Sequence, residues 1–347
     1  EKMSEIDWDS LTFSLTKTDW MYMVKCKLGD AWTPGKIIPY GPFEIDPAAG
    51  VLNYGQGIFE GMKAHRTINE RVVVFRATQN AQRFQSGADR LGMPPVPESI
   101  FLDAIEQVVA ANKKWVPPSG KGALYVRPLL IGTGPIMGVA PAPEYTFLVY
   151  VTPVGPYFKG GLSCIDLIIS DEFHRAAPGG SGGVKAIGNY APGMMPSKNA
   201  KKMGFAEVIY LDAEEHKYIE EVGAANFFCV KDNKLYTPEL TGTILPGITR
   251  DSIIQLAISF GYEVSEEKVS TEFAMNADEA FCCGTAAVIS PIGSITHGDK
   301  KKIYSNGDIG PITQRLYNAI SGIHSENVED SFGWLHEVNL DLNLNLK

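Results

Sequence analysis

Apolar and polar residues along this 347-residue chain follow two periods, one typical of helices and one typical of strands. Apolar positions three and four residues apart predict helices over Ala77–Leu91, Pro97–Trp115, Pro192–Lys202, Thr249–Phe260, Ser270–Asn276 and Pro311–His324. Short apolar runs predict strands over Tyr22–Lys27, Gly57–His65, Arg71–Phe75, Ala123–Ile131, Tyr145–Thr152, Ser163–Ser170, Glu207–Leu211, Lys217–Glu220, Asn226–Val230 and Glu279–Cys283. Because helices and strands are mixed rather than strictly alternating, we predict a mixed α/β (α+β) fold.

The stretch 153–161 is rich in proline and glycine and separates two apolar strands, as a linker does. At about 100–200 residues per domain, the length allows two domains. We therefore predict a small N-terminal α/β domain over 1–155, a linker over 156–165 and a larger domain over 166–347. The last ten residues, 338–347, alternate in the manner of a strand.

Composition excludes several classes of protein. The 31 basic and 40 acidic residues give a net charge of −9, which argues against a nucleic-acid partner. No apolar run reaches the ~18–20 residues of a membrane span. Five cysteines without framework spacing indicate a reducing, intracellular compartment, and six histidines without ligand spacing predict no metal site. The chain begins at Glu1 rather than Met, so we expect a preceding segment.

Lys185 stands in a glycine-rich and apolar segment, Gly182–Pro192, without an acidic neighbour. Desolvation lowers the pKa of an amine, and the neutral amine is the form that attacks carbonyls. The small neighbouring residues leave room for a flat cofactor. The alternative is a loop lysine whose amine reaches solvent, as most lysines do.

Two adjacent acids, Glu220 and Glu221, lie in the strand-like segment Tyr218–Phe228. Alternation in a strand points one of them inward, and a buried carboxylate needs a cation or a proton. A protonated pyridine nitrogen would be such a cation. The alternative is a pair of exposed acids at the end of a strand.

Two glycine-containing turns are candidates for binding a phosphate. Gly242–Arg250 opens a helix, whose free amides and dipole favour an anion, and Gly284–Ala287 offers a hydroxyl and turn amides. Ordinary turns and helix caps are the alternative for each segment.

Arginines follow or interrupt two apolar strands, Arg76 after Phe75 and Arg127 within Leu124–Pro128. Side chains repeat every second residue in a strand, so Tyr125 and Arg127 share one face. A guanidinium among apolar residues needs an anion, and a substrate carboxylate fits its fork. An intramolecular salt bridge is the alternative.

Taken together, these segments resemble the branched-chain amino-acid aminotransferases, which belong to the fold type IV pyridoxal-phosphate enzymes. The matching segments are Val51–Ala64, Leu124–Gly132, Gly182–Pro192, Glu220–Phe228, Gly242–Arg250 and Gly284–Ile295. They occur in the order of the family and span nearly the whole chain, and Ala140–Gly155 and Glu172–Gly180 look most like plant members. The resemblance implies a two-domain fold with the cofactor at the domain junction, and a homodimer. The family includes plastid, mitochondrial and cytosolic members, so the compartment stays open.

The resemblance implies that Lys185 carries pyridoxal 5'-phosphate and then acts as general base and acid. It implies that Glu221, rather than Glu220, holds the ring nitrogen, and that Tyr190 contacts the phenolic oxygen. The phosphate is implied to rest on Arg76, the amides of Ile248 and Thr249, and Thr285. The implied reaction is the reversible, ping-pong transamination of leucine, isoleucine and valine with 2-oxoglutarate.

For the substrate, the resemblance implies contacts from Tyr54, Phe59, Tyr125, Arg127, Val139, Tyr157, Ala286 and Ala287, some of them from a partner subunit. Arg127 would bind the distal carboxylate of glutamate. Mammalian members carry a cysteine redox pair at the positions of Ala287 and Ser290, and we expect no thiol control of that type here. They also carry a threonine where this chain has Ala224, which leaves the binding of the substrate carboxylate open.

Three other functions fit the same residues in part. D-amino-acid aminotransferases and aminodeoxychorismate lyases share the lysine and the glutamate but lack the Leu52–Ala64 and Leu124–Pro128 segments. A transaminase for methionine or chain-extended 2-oxo acids is separated only by its substrates. A catalytically silent pyridoxal-phosphate-binding protein is disfavoured by the intact Lys185, Tyr190, Glu221 and Arg76.

Overall fold

The computed structural model describes residues 6–344 and 346, and it divides into two compact units. The first unit comprises the described residues up to Lys159 together with those from Gly322 onward, and the second spans Gly160–Ser321. The division after Lys159 falls inside the segment 156–165, where the sequence predicts a linker. The other boundary differs from the prediction of a domain over 166–347, because the chain after Gly322 adds a strand to the sheet of the first unit.

The first unit is built on an antiparallel sheet. Its strands are β1 (Trp20–Lys27), β2 (Lys36–Pro39), β3 (Gly57–Phe59), β4 (Met62–Arg66), β5 (Val72–Phe75), β6 (Ala123–Gly132), β7 (Glu144–Val154) and β17 (Leu335–Glu337). Their order is β17-β5-β4-β6-β7-β1-β2, and β3 pairs with β6. The predicted strand Gly57–His65 is two strands, which are separated by Glu60 and Gly61, and the buried carboxylate of Glu60 pairs with Arg83 at 2.7 Å.

Among the described residues, three α-helices belong wholly to this unit: α1 (Gly50–Tyr54), α2 (Ala77–Arg90) and α3 (Glu98–Ala111). Phe84 on α2 and Phe101 on α3 pack on Phe147 of β7, with ring centroids 5.7 and 6.1 Å away. The helix α3 ends before the predicted Trp115, and a 3-10 turn follows it. The reason is Asn112, whose buried side chain accepts from the amides of Asp19 and Trp20 instead of continuing the helix.

The second unit contains a largely closed sheet. Its strands are β8 (Ile165–Ile169), β9 (Glu207–Leu211), β10 (Ile219–Val222), β11 (Ala225–Lys231), β12 (Lys234–Thr237), β13 (Val264–Glu266), β14 (Glu279–Gly284), β15 (Val288–His297) and β16 (Lys300–Ile303). Their order is β10-β9-β8-β15-β14-β11-β12-β13, with β16 on β15. Because β10 also pairs with β11, the strands from β10 to β11 close into a barrel. The long strand β15 is absent from the prediction, because Pro291 and Gly293 interrupt its apolar pattern.

The helices α4 (Met194–Lys202), α5 (Ile248–Ser259) and α6 (Thr271–Met275) lie in the second unit, and the division between the units falls within α7 (Pro311–Ser325). The alternating segment 338–347 forms no strand in its described part, and Asn345 and Lys347 lie outside the described residues. None of the helices in the described part of the chain is both long enough and apolar enough to cross a lipid bilayer.

Candidate active site

Lys185 lies in a turn of the second unit, just before a 3-10 helix, Ile187–Asn189. Its side-chain amine donates to the hydroxyl of Tyr190 at 3.2 Å and lies 5.5 Å from the centroid of that ring. The lysine is partly buried rather than extended into solvent. The structure therefore brings together the two residues that the sequence assigns to the carbonyl and phenolic positions of the cofactor.

The turn that carries Lys185 is fixed from both sides by Asn189. The amide nitrogen of Asn189 donates to the carbonyl oxygens of Ser181 at 2.8 Å and Val184 at 3.0 Å. The hydroxyl of Ser181 donates in return to the Asn189 side-chain oxygen at 2.6 Å. Three hydrogen bonds across this turn hold the backbone before Lys185 and so fix the position from which its side chain extends.

Glu221 lies on β10 with its side chain 2% exposed. Its Oε2 lies 2.5 Å from Nε of Arg175, and its Oε1 accepts from the backbone amide of Leu245 at 3.0 Å and from the Asn226 side chain at 3.3 Å. Burial raises the pKa of Glu221 from 4.5 to about 7, while Arg175, the Leu245 amide and Lys185 act in the opposite direction. Burial thus raises the pKa of Glu221 by more than these three groups lower it, and a further cation would stabilise the carboxylate.

Glu220 is also buried, which corrects both interpretations of this pair from the sequence. The prediction was that one glutamate points inward, with two exposed acids as the alternative. Both are buried because β10 belongs to a closed barrel and both of its faces are covered. The Oε1 of Glu220 accepts from the hydroxyl of Thr243 at 2.6 Å, and Glu220 lines a separate cavity of about 220 Å³. Lys185 influences the pKa of Glu221, so Glu221 is the carboxylate on the lysine side.

The first turn of α5 offers backbone amides to an anion. The helix begins at Ile248, and among the described residues no side chain caps its N-terminus. Gly247 precedes it, and a Cβ at this position would lie 2.0 Å from the side-chain oxygen of Asn226. Because Asn226 also contacts Glu221, the glycine lets the helix begin against the network that holds that carboxylate. This is the place predicted for a phosphate on the Ile248 and Thr249 amides.

Thr285, Ala286 and Ala287 form the turn between β14 and β15. The strand β14 packs against α5 and pairs with β11, which follows Glu221 along the chain. Cys283, at the end of β14, is close enough to Arg250 in the first turn of α5, and to Glu221, for both to affect its pKa. The turn thus leaves the barrel beside the strand end that faces α5 and Glu221.

The second unit contains a cavity of about 360 Å³ that includes Tyr190 in its lining, but not Lys185, Glu221 or Thr285. Arg175, Tyr190, Tyr210 and Ala224 contribute to its lining. Ala224, in the hairpin between β10 and β11, is exposed. The described residues contain no group of three His, Cys, Asp or Glu side chains placed to hold a metal ion.

In the first unit, three of the predicted substrate residues lie together. Nη2 of Arg127 donates to the hydroxyl of Tyr125 at 3.1 Å, which confirms that the two share a face of β6. The Arg127 guanidinium also lies 4.6 Å from the ring centroid of Phe59. A cation held between two aromatic rings presents its remaining N–H groups in a fixed direction, as recognition of a carboxylate requires.

The other predicted residues of the first unit lie elsewhere in it. The hydroxyl of Tyr54 donates to the carbonyl oxygen of Met137, two residues before Val139, which is 86% exposed. Tyr157 is 54% exposed and packs on its neighbour Phe158. Arg76 adopts a left-handed conformation (φ 50°) ahead of α2, and its guanidinium lies 5.3 Å from the ring centroid of Trp334. The phosphate contact of Arg76 and the substrate contacts of these residues stay predictions.

Two residues of the Glu221 network were missed by the sequence reasoning. Arg175 falls in the Glu172–Gly180 segment, where nothing in the neighbouring sequence marks a buried cation. Asn226 belongs to the quoted Glu220–Phe228 segment. An asparagine between apolar residues of a strand is a signal for a buried hydrogen bond, and Asn226 lies directly opposite Glu221 across the hairpin.

Comparison with known proteins gives a consistent result. The family model described as Amino-transferase class IV matches residues 57–295. The "Branched-chain amino acid aminotransferase 2, chloroplastic" of Humulus lupulus is 48% identical over 337 residues, which cover 97% of this chain and 83% of the relative. A methionine aminotransferase of Arabidopsis thaliana is 46% identical over 338 residues, 97% of this chain and 95% of the relative.

Solved structures agree with the sequence relatives. The crystal structure of the Escherichia coli branched-chain amino acid aminotransferase superimposes with a TM-score of 0.81 at 32% identity, covering 93% of this chain and all of that chain. The branched-chain aminotransferase of the thermophilic archaeon Thermoproteus uzoniensis, in a crystal structure with norvaline, gives a TM-score of 0.78 at 28% identity, covering 92% of this chain and all of that chain.

Proposed function

The chain belongs to the class IV aminotransferases, and from this premise we propose that it is a branched-chain-amino-acid transaminase dependent on pyridoxal 5'-phosphate. It transfers the amino group of leucine, isoleucine or valine to 2-oxoglutarate and yields the branched-chain 2-oxo acid and glutamate. The observation that carries the proposal is that one unit holds both a lysine amine hydrogen-bonded to a tyrosine and a buried carboxylate ion-paired with an arginine.

The residues present fit pyridoxal phosphate in three respects. An amine is available at Lys185 next to a phenol, and a buried carboxylate at Glu221 has a pKa that a further cation would lower. The uncapped first turn of α5 supplies amides for a phosphate. Together they match the aldehyde, the ring nitrogen and the phosphate of this cofactor, which supplies an electron sink for the substrate carbanion when bound.

The side chains divide the work of proton transfer. Lys185 would hold the cofactor, and its amine, once free, would act as general base at the substrate Cα and as general acid that delivers the proton to the cofactor C4′. Tyr190, hydrogen-bonded to that amine, orients it and donates towards the phenolic oxygen. Glu221 would hold the ring nitrogen in its protonated form. The α5 amides with Thr285 would hold the phosphate.

Substrate selection is assigned to the first unit. We propose that Arg127, fixed by Tyr125 and Phe59, binds the distal carboxylate of glutamate and 2-oxoglutarate. Tyr54, Val139 and Tyr157, with Ala286 and Ala287 of the second unit, are assigned to the apolar side chain. These roles rest on the family pattern, and they are supported by the cation and the aromatic rings that the first unit brings together.

A homodimer is part of the proposal. The proposal follows the family pattern, and Met137 and Val139, which are 85% and 86% exposed on one short loop, are candidates for burial in the dimer. Size-exclusion chromatography with light scattering checks the assembly, and a mass equal to one chain would contradict it.

Methionine is the second candidate substrate. A relative named as a methionine aminotransferase is 46% identical over nearly the whole chain, against 48% for the branched-chain relative. A panel of amino acids with 2-oxoglutarate separates the two activities. A kcat/KM for methionine above that for leucine would favour the second candidate.

The test of the proposed function is the replacement Lys185→Ala, with Lys201→Ala as control because Lys201 is an exposed lysine on α4. We expect the first variant to lose turnover of leucine by a factor of roughly a thousand or more, and the second to keep it. Steady-state turnover near that of the unaltered protein in Lys185→Ala would refute the assignment of the lysine.

A further inference from the structure

Arg175 links the two halves of the site within the second unit. Its Nε lies 2.5 Å from Oε2 of Glu221. Its Nη2 donates to the carbonyl oxygen of Gly182 at 3.1 Å, in the turn that carries Lys185, and its Nη1 donates to the carbonyl oxygen of Thr243 at 2.8 Å. One guanidinium thus joins the carboxylate, the lysine turn and the segment that leads to α5.

The arginine is buried almost as deeply as its partner. The side chains of Arg175 and Glu221 are 8% and 2% exposed, so solvent screens their interaction weakly. Three other ionisable groups act on or beside Glu221: Lys185 from its turn, Glu220 from the same strand, and Cys283 from β14. Burial raises the pKa of Cys283 well above its usual value, so the thiol is neutral. Arg175 is therefore the cation in direct contact with the carboxylate.

We propose that Arg175 is a positioning residue that favours the ionised form of Glu221 and fixes its orientation for the ring nitrogen of the cofactor. The proposal rests on the proposed function, and it adds a residue whose effect passes through Glu221. Because Arg175 engages Oε2, while the Leu245 amide and Asn226 engage Oε1, the carboxylate plane is fixed from both sides.

The physical consequence is a shift in protonation rather than a loss of shape alone. A fully buried carboxyl without a cation takes up a proton, and a protonated carboxyl no longer offers a full charge to a pyridinium. Burial already outweighs the effect of Arg175 on the pKa of Glu221, so removal of the guanidinium leaves the carboxyl protonated at neutral pH. Raising the pH restores the charge.

The experiment measures the dissociation constant of pyridoxal phosphate from pH 6 to pH 9 by spectroscopic titration of the apoprotein. The variants are Arg175→Met, Arg175→Lys and the double variant Arg175→Met with Glu221→Gln. The matched control is Arg83→Met, which removes the guanidinium of a buried pair with Glu60 in the first unit. The pH profile of kcat with leucine is recorded alongside.

We expect Arg175→Met to raise the dissociation constant of pyridoxal phosphate about tenfold or more at pH 7. The ratio of this constant to that of the unaltered protein should fall towards one as the pH approaches 9. The acid limb of kcat moves to higher pH by about one unit or more, and Arg175→Lys restores part of both effects. In a Glu221→Gln background the arginine replacement adds no further pH dependence. Arg83→Met lowers stability but leaves the pH dependence of binding unchanged.

A ratio of the two dissociation constants that is constant across the pH range, or equal to the ratio measured for Arg83→Met, would overturn the role of Arg175. If Arg175→Met does not fold, Arg175→Lys carries the test, because we expect it to retain a smaller shift of the acid limb together with a smaller loss of binding. Weaker binding by the same factor at every pH, without any shift of the acid limb, would overturn the role equally. A failure of the proposed function is distinguishable, since the unaltered protein would then bind no pyridoxal phosphate, or leucine would not remove its visible absorption band.

Discussion

Replacement of Glu221 by glutamine measures how the buried carboxyl group changes the free energy of unfolding before any cofactor binds. Its pKa is raised by burial from 4.5 to about 7, so the folded chain holds the proton more tightly than the unfolded chain. The folded state is therefore favoured at low pH, and that contribution is lost as the pH rises from about 4.5 through about 7. Between about pH 5.5 and about pH 8 the loss amounts to about 2 kcal/mol.

The assay is urea unfolding of the apoprotein, followed by circular dichroism at several pH values across this range. Glu221→Gln puts a neutral amide beside Arg175, as the protonated carboxyl does at acid pH, so we expect the stability of the variant to lack this pH dependence. The diagnostic quantity is the slope of the free energy of unfolding against pH. The unaltered protein should lose about 2 kcal/mol more than the variant between about pH 5.5 and about pH 8.

The control is Glu326→Gln in the first unit. Contact with Arg71 lowers the pKa of Glu326 to about 2, so this carboxylate is ionised throughout the range and its removal should not alter the slope. Equal slopes for the unaltered protein and Glu221→Gln would refute the reasoning that burial dominates at Glu221.

Three further predictions concern single positions. Arg127→Met should raise KM for 2-oxoglutarate by roughly 10- to 100-fold with a smaller effect on leucine, because it removes a charged hydrogen-bond donor; steady-state kinetics with both substrates checks this. Gly247→Ala places a Cβ 2.0 Å from a side-chain oxygen and should cost about 1–3 kcal/mol and weaken cofactor binding, whereas Gly41→Ala, with nothing within 4 Å, should do neither; thermal unfolding and spectroscopic titration measure both. Cys282 and Cys283 are buried with raised pKa values, so alkylation by iodoacetamide should spare them until the protein unfolds, as peptide mass mapping would reveal.

Much of the fold follows from local pattern. The helix Ala77–Arg90 and the strand Glu207–Leu211 have the periods and stop signals that the sequence displays. Errors fall where a tertiary contact overrides the pattern. Asn112 ends α3 early because its side chain binds a neighbouring strand, and β15 forms through Pro291 because its partners on both sides supply the ladder.

The part of the candidate site that lies within short sequence motifs was predictable. Lys185 and Tyr190 lie five residues apart, and their contact follows from one turn. The environment of Glu221 is different, since Arg175 reaches it from 46 positions away in the chain. No local pattern records which arginine a closed barrel will bring to a buried carboxylate. Assigning Glu221 rather than Glu220 likewise depended on the family resemblance, because alternation alone favours neither acid.

The central claim is that a lysine-bound pyridoxal phosphate serves an L-branched-chain amino acid, and one spectrum tests it. The visible absorption of the purified protein, loaded with pyridoxal phosphate, is recorded before and after separate additions of leucine, methionine and D-alanine. We predict a yellow band that leucine bleaches and D-alanine leaves unchanged, with Lys185→Ala failing to show the lysine-bound band. A yellow band that leucine does not change, or no band after addition of pyridoxal phosphate, would contradict this claim.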